Sequence, residues 1–245
     1  MISRFRDLSI VNFGSVNMVV ANDSSGAIGL KENDMLKVDP EIVGYHGAQV
    51  ALMEVIAYGA DPILLINNLM VEMNPTGKRI INGIYRAMKS VGMNPDISIN
   101  GSTEENFATT QTGMGITVIG KTTNKSIPIH RSEKRDLVVA LGKPLVGDEV
   151  INASDEEKMD SEKLLKIRAL PFIKELLPVG SSGIIHELRK IEKDSGFNAI
   201  RFKTDLNLEA SGGPSTCVLA TLRNEHINTL IEIINIKVTP LSILV

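Results

Sequence analysis

Apolar positions along the chain recur at two spacings, every second residue or every third and fourth, and the switches between them mark out its elements. Asn17 to Ala21 is an apolar run that stops at Asn22-Asp23-Ser24-Ser25-Gly26, the pattern of a strand entering a polar, glycine-containing loop. The loop continues through Gly29, Lys31, Asn33 and Asp34 to Pro40. From Val43 to Tyr58 the apolar residues take helical spacing, and Gly59 is placed to end that helix. Pro62 to Leu69 reads as a buried strand. Pro75 opens a second helix, at an early position where its missing N–H costs nothing, and Gly92 closes it after Val91. Ile97 to Asn100 is a short strand running into Gly101-Ser102-Thr103-Glu104-Glu105-Asn106, and Gly113 to Gly120 is another. Strands and helices mixed in this way predict an α/β or α+β domain over residues 1–120, with a largely helix-covered sheet.

Lys121 to Arg135 is polar and reads as a connection. A second domain, residues 136–245, follows. Its strand Asp136 to Leu141 ends at Gly142-Lys143-Pro144, and helices are predicted over Asp155 to Ile173, Gly183 to Asp194 and Glu225 to Ile234. Ser211-Gly212-Gly213-Pro214 leads into the strand Thr216 to Leu222, and a last strand runs to Val245. No repeat of solenoid period is present.

Composition narrows the classes of function. The chain has 245 residues, 43% hydrophobic and 22% charged, with 26 Lys and Arg against 29 Asp and Glu. That near balance, with no Trp and 4% aromatic residues, argues against nucleic acid or an anionic membrane as partner. Cys217 is the one cysteine, so the chain can build neither an internal disulfide nor a cysteine-rich zinc site. Met1 to Asp7 lacks a signal-peptide apolar region, and no run reaches the roughly 18 apolar residues of a membrane span. A soluble, cytoplasmic protein is the expectation.

Two constellations carry candidate chemistry. In Asp23-Ser24-Ser25-Gly26-Ala27-Ile28-Gly29-Leu30-Lys31, followed by Asp34 and Lys37, glycines would admit phosphate oxygens to backbone amides. Lysine would supply a point charge, and aspartate would hold Mg²⁺. The Gly-Lys-Ser/Thr ending of a Walker loop is missing, and a solvated turn with scattered charges is the competing reading. In Gly101-Ser102-Thr103-Glu104-Glu105-Asn106, acids and hydroxyls at a strand end could hold metal, or could cap a helix. His46, His130, His186 and His226 are dispersed, without acids at metal-ligand spacing, and read as surface or packed residues. Cys217 reads as a buried small hydrophobe.

The ordered series Asp23…Lys31, Glu54, Gly59-Ala60-Asp61-Pro62, Asn67, Gly101…Thr103…Glu105 and Gly113…Gly115 resembles the N-terminal half of the aminoimidazole ribonucleotide synthetase superfamily. The likeness runs from about Val16 to Gly120 and is weaker beyond Asp136. It implies a two-domain PurM-like fold, whose N-terminal sheet pairs across a two-fold axis into a dimeric barrel, with a shortened C-terminal α/β domain. It also implies Mg²⁺-ATP as cofactor. The resemblance matches Asp23, Lys31, Glu54, Gly101, Thr103 and Glu105 to family positions. The expectation built on it is that Asp23, Asp34, Glu54 and Glu105 hold metal and that Asp23, Ser24, Gly26, Gly29, Lys31, Gly101, Thr103 and Asn106 bind nucleotide, with Glu105 also the catalytic candidate. The homodimer would bury Met18 to Ala21 and Ile116 to Ile119. Three positions depart from the pattern. Asn67 and Ser102 stand where relatives have acids, and Val179-Gly180-Ser181-Ser182-Gly183 replaces an acid-containing loop.

Within the superfamily the α-ribazole kinase branch of cobalamin salvage is the nearest resemblance. It is carried by Asn22 to Gly29, Val71-Glu72-Met73-Asn74-Pro75-Thr76-Gly77, Gly101 to Asn106 and Pro178-Val179-Gly180-Ser181. It implies phosphoryl transfer to a hydroxyl of a small nucleoside-like acceptor, α-ribazole first. A ligase or dehydratase activating an amide oxygen, and a nucleotide sensor without turnover, stay open beside it.

Overall fold

The computed structural model describes residues 1–123 and 131–245. The described residues form two compact units, an N-terminal and a C-terminal one. His130, Asn124 and Lys125 lie outside the described residues.

The N-terminal unit is a six-stranded sheet with two long helices. Its strands are β1 (Ile2–Phe5), β2 (Leu8–Asn12), β3 (Val16–Gly26), β6 (Asp61–Leu69), β7 (Ile99–Thr103) and β8 (Gly113–Thr123), in the order β1-β2-β3-β8-β6-β7. Neighbours run antiparallel except β6 and β7, which are parallel. The sheet is therefore mixed. Two short strands, β4 (Ile28–Gly29) and β5 (Leu36–Lys37), pair beside it.

The expected polar loop after Ala21 is strand instead. β3 continues through Asn22-Asp23-Ser24-Ser25-Gly26, paired with Thr117 back to Gly113. Polar residues alternate there as apolar ones do earlier, and two of the facing residues are glycine, so the ladder extends without crowding. Lys121, Thr122 and Thr123 likewise complete β8 rather than start a connection.

One sheet face is covered. Val19, Ala21, Leu65, Leu69, Met114, Ile116 and Val118 are buried on it, together with Leu52, Val55 and Ile56 of α1 (Pro40–Tyr58) and Ile80, Ile84 and Met88 of α2 (Lys78–Ser90). The two helix backbones touch. A Cβ on Gly83 would lie 1.9 Å from the Glu41 carbonyl oxygen, and one on Gly44 would lie 2.0 Å from that of Ile80. α2 begins later than Pro75, at Lys78, after a wide turn over Met73–Gly77 that contains a cis Asn74–Pro75 peptide.

The other face is only partly covered. Met18, Val20, Leu64, Ile66, Thr117 and Ile119 are half-buried, and Ile63 is 48% exposed. So β6 is not the fully buried strand its composition suggested. Of the residues expected to bury a dimer seam, Val19, Ala21, Ile116 and Val118 are already spent on the helices, because alternate strand residues point to opposite faces. Only their neighbours are left for a partner. The expectation for assembly is a homodimer through Met18, Val20 and Ile119. Static light scattering should give twice the chain mass for the protein and the single-chain mass for Val20→Glu with Ile119→Glu. A wild-type monomer at micromolar concentration rejects this seam.

The C-terminal unit is a five-stranded sheet of β9 (Asp136–Gly142), β10 (Glu175–Pro178), β11 (Ala199–Arg201), β12 (Cys217–Arg223) and β13 (Val238–Leu244). Their order is β10-β12-β9-β13-β11. Every pair is antiparallel, so this unit is α+β and has no parallel α/β sheet. β9 and β12 form its centre, with Val138, Ala140, Cys217 and Leu219 buried against Ile184, Leu188 and Ile191 of α5 (Gly183–Ser195). Burial pushes the Cys217 thiol up, out of reactive range.

The predicted helix Asp155 to Ile173 contracts to α4 (Ser161–Arg168). Asp160 caps it by accepting the Lys163 amide at 2.7 Å, so the acids before it belong to a turn. Pro171 stops it on the other side. Two short helices, α3 (Asp148–Asn152) and α6 (Ile227–Ile233), complete the unit. Among the described residues no helix is long and apolar enough to cross a membrane.

Candidate functional site

One end of the N-terminal sheet collects the residues singled out in the sequence. There β3, β6 and β7 finish and β8 begins, with Gly26 opposite Gly113, and Leu69 opposite both Met114 and Thr103. One row further in, Asp23, Ile116, Asn67 and Gly101 lie side by side on the helix-covered face. On the outer face Ser24, Gly115, Asn68 and Ser102 form the matching row. Asp23, Ser24, Gly26, Gly101 and Thr103 thus share one edge of the fold, although they are 80 residues apart at the extremes. The carboxyl ends of parallel strands are where ligand groups commonly gather.

Asp23 is the unusual member. Burial pushes its carboxyl pKa up to about 6, with a backbone hydrogen bond at Ser24 offsetting part of that. A carboxylate held out of water in this way favours either a proton or a cation. Asn67 is 3% exposed, and its Nδ2 donates to the Asn100 carbonyl at 3.2 Å. Its Oδ1 is buried without a hydrogen-bond partner. Because Nδ2 is committed, the amide cannot turn to relieve that oxygen.

Asn67 borders a pocket of about 270 Å³, with Gly101 and Asn100 on one side and Tyr85, Ile81 and Met73 on the other. Sequence reading missed Tyr85 and Ile81. The signal was the partly exposed α2 face, which helical spacing alone assigns to solvent.

The loops beyond the strand ends are tied together. Asp34 is 4% exposed and accepts from the Thr112 amide (2.7 Å), the Thr112 hydroxyl (2.7 Å) and the Lys31 amide (2.8 Å). Burial alone would raise its pKa, but these hydrogen bonds, with Lys37 nearby, hold it below the usual value. Both its oxygens are occupied, so Asp34 organises the loop from within. Gly29 is required beside it, since a Cβ there would meet Thr112 Oγ1 at 2.5 Å and Asp34 Oδ2 at 2.7 Å.

Lys31 is also engaged. Its Nζ donates to Glu72 Oε2 at 2.6 Å and to the Thr109 carbonyl at 3.0 Å. The Thr76 hydroxyl donates to the other Glu72 oxygen. Burial works to raise the Glu72 pKa, but the Lys31 and Thr76 hydrogen bonds outweigh it and hold the carboxyl at about 2. The sequence pattern alone gives Glu72 no role. Its spacing of four from Thr76 was the available signal.

Because the Glu72 pKa is depressed, its stabilisation is complete above about 4.5 and disappears as pH falls through about 2. Glu72→Gln should cost roughly 1–2 kcal/mol at pH 7, the larger nominal figure being discounted for partial exposure. Urea titrations at pH 7 and pH 3 check this. The gap between variant and wild type should narrow at the lower pH, and a constant gap refutes the ion pair.

The remaining predicted residues are scattered. Glu105 Oε1 accepts from the Met73 amide (2.8 Å) and the Thr103 hydroxyl (2.7 Å), bracing the wide turn against β7. Asn106 donates its amide to Glu104 Oε1 at 2.7 Å, so Glu104 and Asn106 form a local turn. Glu54 is half-buried on α1 next to Val55, whose side chain faces Gly120, whereas Gly47 two turns earlier faces Met114 and Ile116. Among the described residues no three His, Cys, Asp or Glu side chains gather as a metal cluster, so Asp23, Asp34, Glu54 and Glu105 are not brought together.

In the C-terminal unit, the acid-free loop Val179 to Gly183 has a buried acid behind it. Glu187 is 3% exposed, ion-paired with Lys190 at 3.1 Å, and 3.9 Å from where a Gly180 Cβ would stand.

Residues 8–122 match the family described as AIR synthase related protein, N-terminal domain. No curated protein matches the chain in sequence. Solved structures share its fold at low identity. Thiamine monophosphate kinase from Aquifex aeolicus is 14% identical, with a TM-score of 0.68 over 99% of this chain and 89% of that one. PurL of T. maritima, complexed with ADP, is 13% identical with a TM-score of 0.69 over 98% of this chain and 42% of that one. AaThiL complexed with AMPPCP and TMP is 16% identical with a TM-score of 0.63, covering 97% and 84%.

Proposed function

From the AIR synthase-related domain in its N-terminal unit, we propose that this chain is an ATP-dependent kinase for a hydroxyl of a small nucleoside-like acceptor, with α-ribazole the first candidate. The observation that carries the reading is the row Asp23–Ile116–Asn67–Gly101. It sets a desolvated carboxylate in the same row as Asn67 and Gly101, which line a neutral pocket. Structures of similar fold have been determined with AMPPCP and TMP, and with ATP.

The residues fit Mg²⁺-ATP. Asp23 would hold the ion, which keeps several of its waters, and the ion would neutralise phosphate charge. The pocket between Gly101 and Tyr85 has room for a base. Exposed backbone at Gly26, Gly101 and Ser102 would lie along the phosphates, in keeping with strand-end glycines that admit close approach. Leu30, Met35, Met70 and Phe107 are all more than half exposed on the adjoining loops and offer an apolar wall to an acceptor ring.

Catalysis in such a site is mostly positioning, and Glu105 is the carboxylate next to Thr103 that could orient the acceptor hydroxyl.

The test is direct. Purified protein with ATP, Mg²⁺ and α-ribazole should yield α-ribazole phosphate and ADP by mass spectrometry. Glu105→Gln, which keeps an oxygen for Met73 and Thr103, should lower kcat roughly tenfold or more with little change in ATP affinity. A product with a new C–N bond would establish a ligase instead.

The sensor reading also has an observation behind it, since Lys31 is bound to Glu72 and no metal cluster forms among the described residues. ATP binding without any product across nucleoside and amide substrates would establish that reading and reject the kinase.

A further inference from the structure

The C-terminal unit has a cleft of its own, about 770 Å³ in volume. That is within the range of roughly 300–1,000 Å³ typical of small-molecule sites. Its walls are pinned by backbone. Lys143 and Leu145 bracket the fully buried Thr216, whose hydroxyl donates to the Lys143 carbonyl at 2.9 Å while accepting the Leu145 amide at 3.0 Å. The Gly142 amide donates to the Lys237 carbonyl, and the Lys237 amide to that of Glu156, both at 2.8 Å. On the far wall the Phe202 amide donates to the Leu241 carbonyl at 2.7 Å, while Thr239 and Pro240 are held in the ladder opposite Ala140 and Val139, just before the register shift at Leu241. The cleft is thus preformed.

Its lining has two characters. Pro144, Leu145, Phe202, Leu206 and Pro240 are apolar, and Phe202 is 38% exposed, large for an aromatic side chain with nothing to cover it. The charged groups are Lys143, Lys203, Lys237, Glu149 and Asp205. Lys143 is paired with Glu157, and Glu149 accepts the Val146 amide at 3.3 Å. Among the described residues the ammonium groups of Lys203 and Lys237 have no partner. Thr204 and Thr239 add hydroxyls, and Thr204 Oγ1 already accepts the Leu206 amide at 3.2 Å, which leaves its proton to donate. The lining contains no arginine, the residue whose planar fork suits carboxylates. Point-charge ammonium groups with hydroxyl donors suit a phosphate.

We propose that this cleft binds a small phosphate monoester with an apolar ring, the phosphate held by Lys203 and Lys237 and the ring against Phe202 and Leu206. Asp205 is the one acid of the lining without a partner among the described residues, and it opposes the anion. The proposal stands apart from the nucleotide site above, so either can fail alone.

Calorimetric titration of the full chain with phenyl phosphate is the experiment. Phenol, inorganic phosphate and benzoate are the comparison probes, and Mg²⁺-ATP is the control. Phenyl phosphate should bind more tightly than any of the three comparison probes. Lys203→Met with Lys237→Met should weaken it by roughly tenfold or more, as loss of charge-assisted contacts does. Asp205→Asn should tighten it by about two- to fivefold. Mg²⁺-ATP affinity should be unaltered by either change.

Binding that survives loss of both lysines, an Asp205→Asn variant that binds more weakly, or no heat with any probe at millimolar concentration overturns the proposal. Benzoate binding equal to phenyl phosphate overturns the phosphate assignment. Loss of ATP affinity with the lysines overturns the independence of the cleft.

Discussion

Asp23→Asn is expected to weaken Mg²⁺-dependent ATP binding by roughly two orders of magnitude and, at the same time, to raise the melting temperature of the ligand-free protein. The two effects share a cause. Burial raises the Asp23 pKa from 3.8 to about 6, so the folded protein holds the proton more tightly than the unfolded chain. Stability from this group is therefore complete below pH 3.8 and is lost as pH rises through about 6. At pH 7.5 wild type carries an ionised, poorly solvated carboxylate, and the neutral amide does not.

The gain should be about 1–2 kcal/mol after allowance for partial exposure, equivalent to roughly 2–8 °C in Tm. Scanning calorimetry at pH 7.5 and pH 4 checks it. The variant should melt higher at pH 7.5, and the difference should vanish at pH 4. Calorimetric ATP titration with and without Mg²⁺ checks the functional half. A variant that loses stability at pH 7.5, or that binds Mg²⁺-ATP as wild type does, removes Asp23 from the site. Stability sacrificed for a charge in this way is the usual mark of a functional position.

Much of the fold could be read from the chain because its long elements obey simple periods. α1, β6 and β9 were each placed within a few residues by apolar spacing. What escaped was short, edge-placed or polar. The hairpin β1–β2 occupies an edge of the sheet, where its apolar alternation is brief. β10 and β11 have four and three residues, too few for a period to show. The polar half of β3 looked like a loop because exposed and half-buried side chains alternate there, with no apolar residue to mark the period.

The candidate site divides along the same line. Order along the chain picked out Asp23, Gly101 and Thr103, and strand pairing places these three at one end of the sheet. Pairings across the chain were not legible. That Asp34 is consumed by Thr112, or Lys31 by Glu72, depends on contacts 78 and 41 residues apart that no local pattern encodes.

The second large effect is expected at Gly101, where those strand ends meet. An alanine there would place its Cβ 2.3 Å from the Asn67 carbonyl oxygen and 2.5 Å from Asn67 Nδ2. Neither can yield easily. The carbonyl belongs to the strand paired with β7, and the amide is fixed by its bond to Asn100. Overpacking of this kind costs roughly 1–3 kcal/mol, or more where backbone is struck. Because β7 is the edge strand, the cheapest relief is for it to peel away from β6 instead of the sheet unfolding. Thr103 and Glu105 would move with it, taking the brace on the Met73 turn and one wall of the pocket. Gly101→Ala should therefore lower Tm by roughly 3–10 °C and abolish measurable nucleotide binding. Hydrogen exchange at the amides of Ile99 to Thr103 should accelerate far more than at β8 or α1. Thr103→Ala, which removes a hydroxyl without inserting an atom, should leave the strand protected. Uniform acceleration across the sheet would refute edge peeling, and an unchanged Tm with intact ATP affinity would show that the Gly101 contact is not needed.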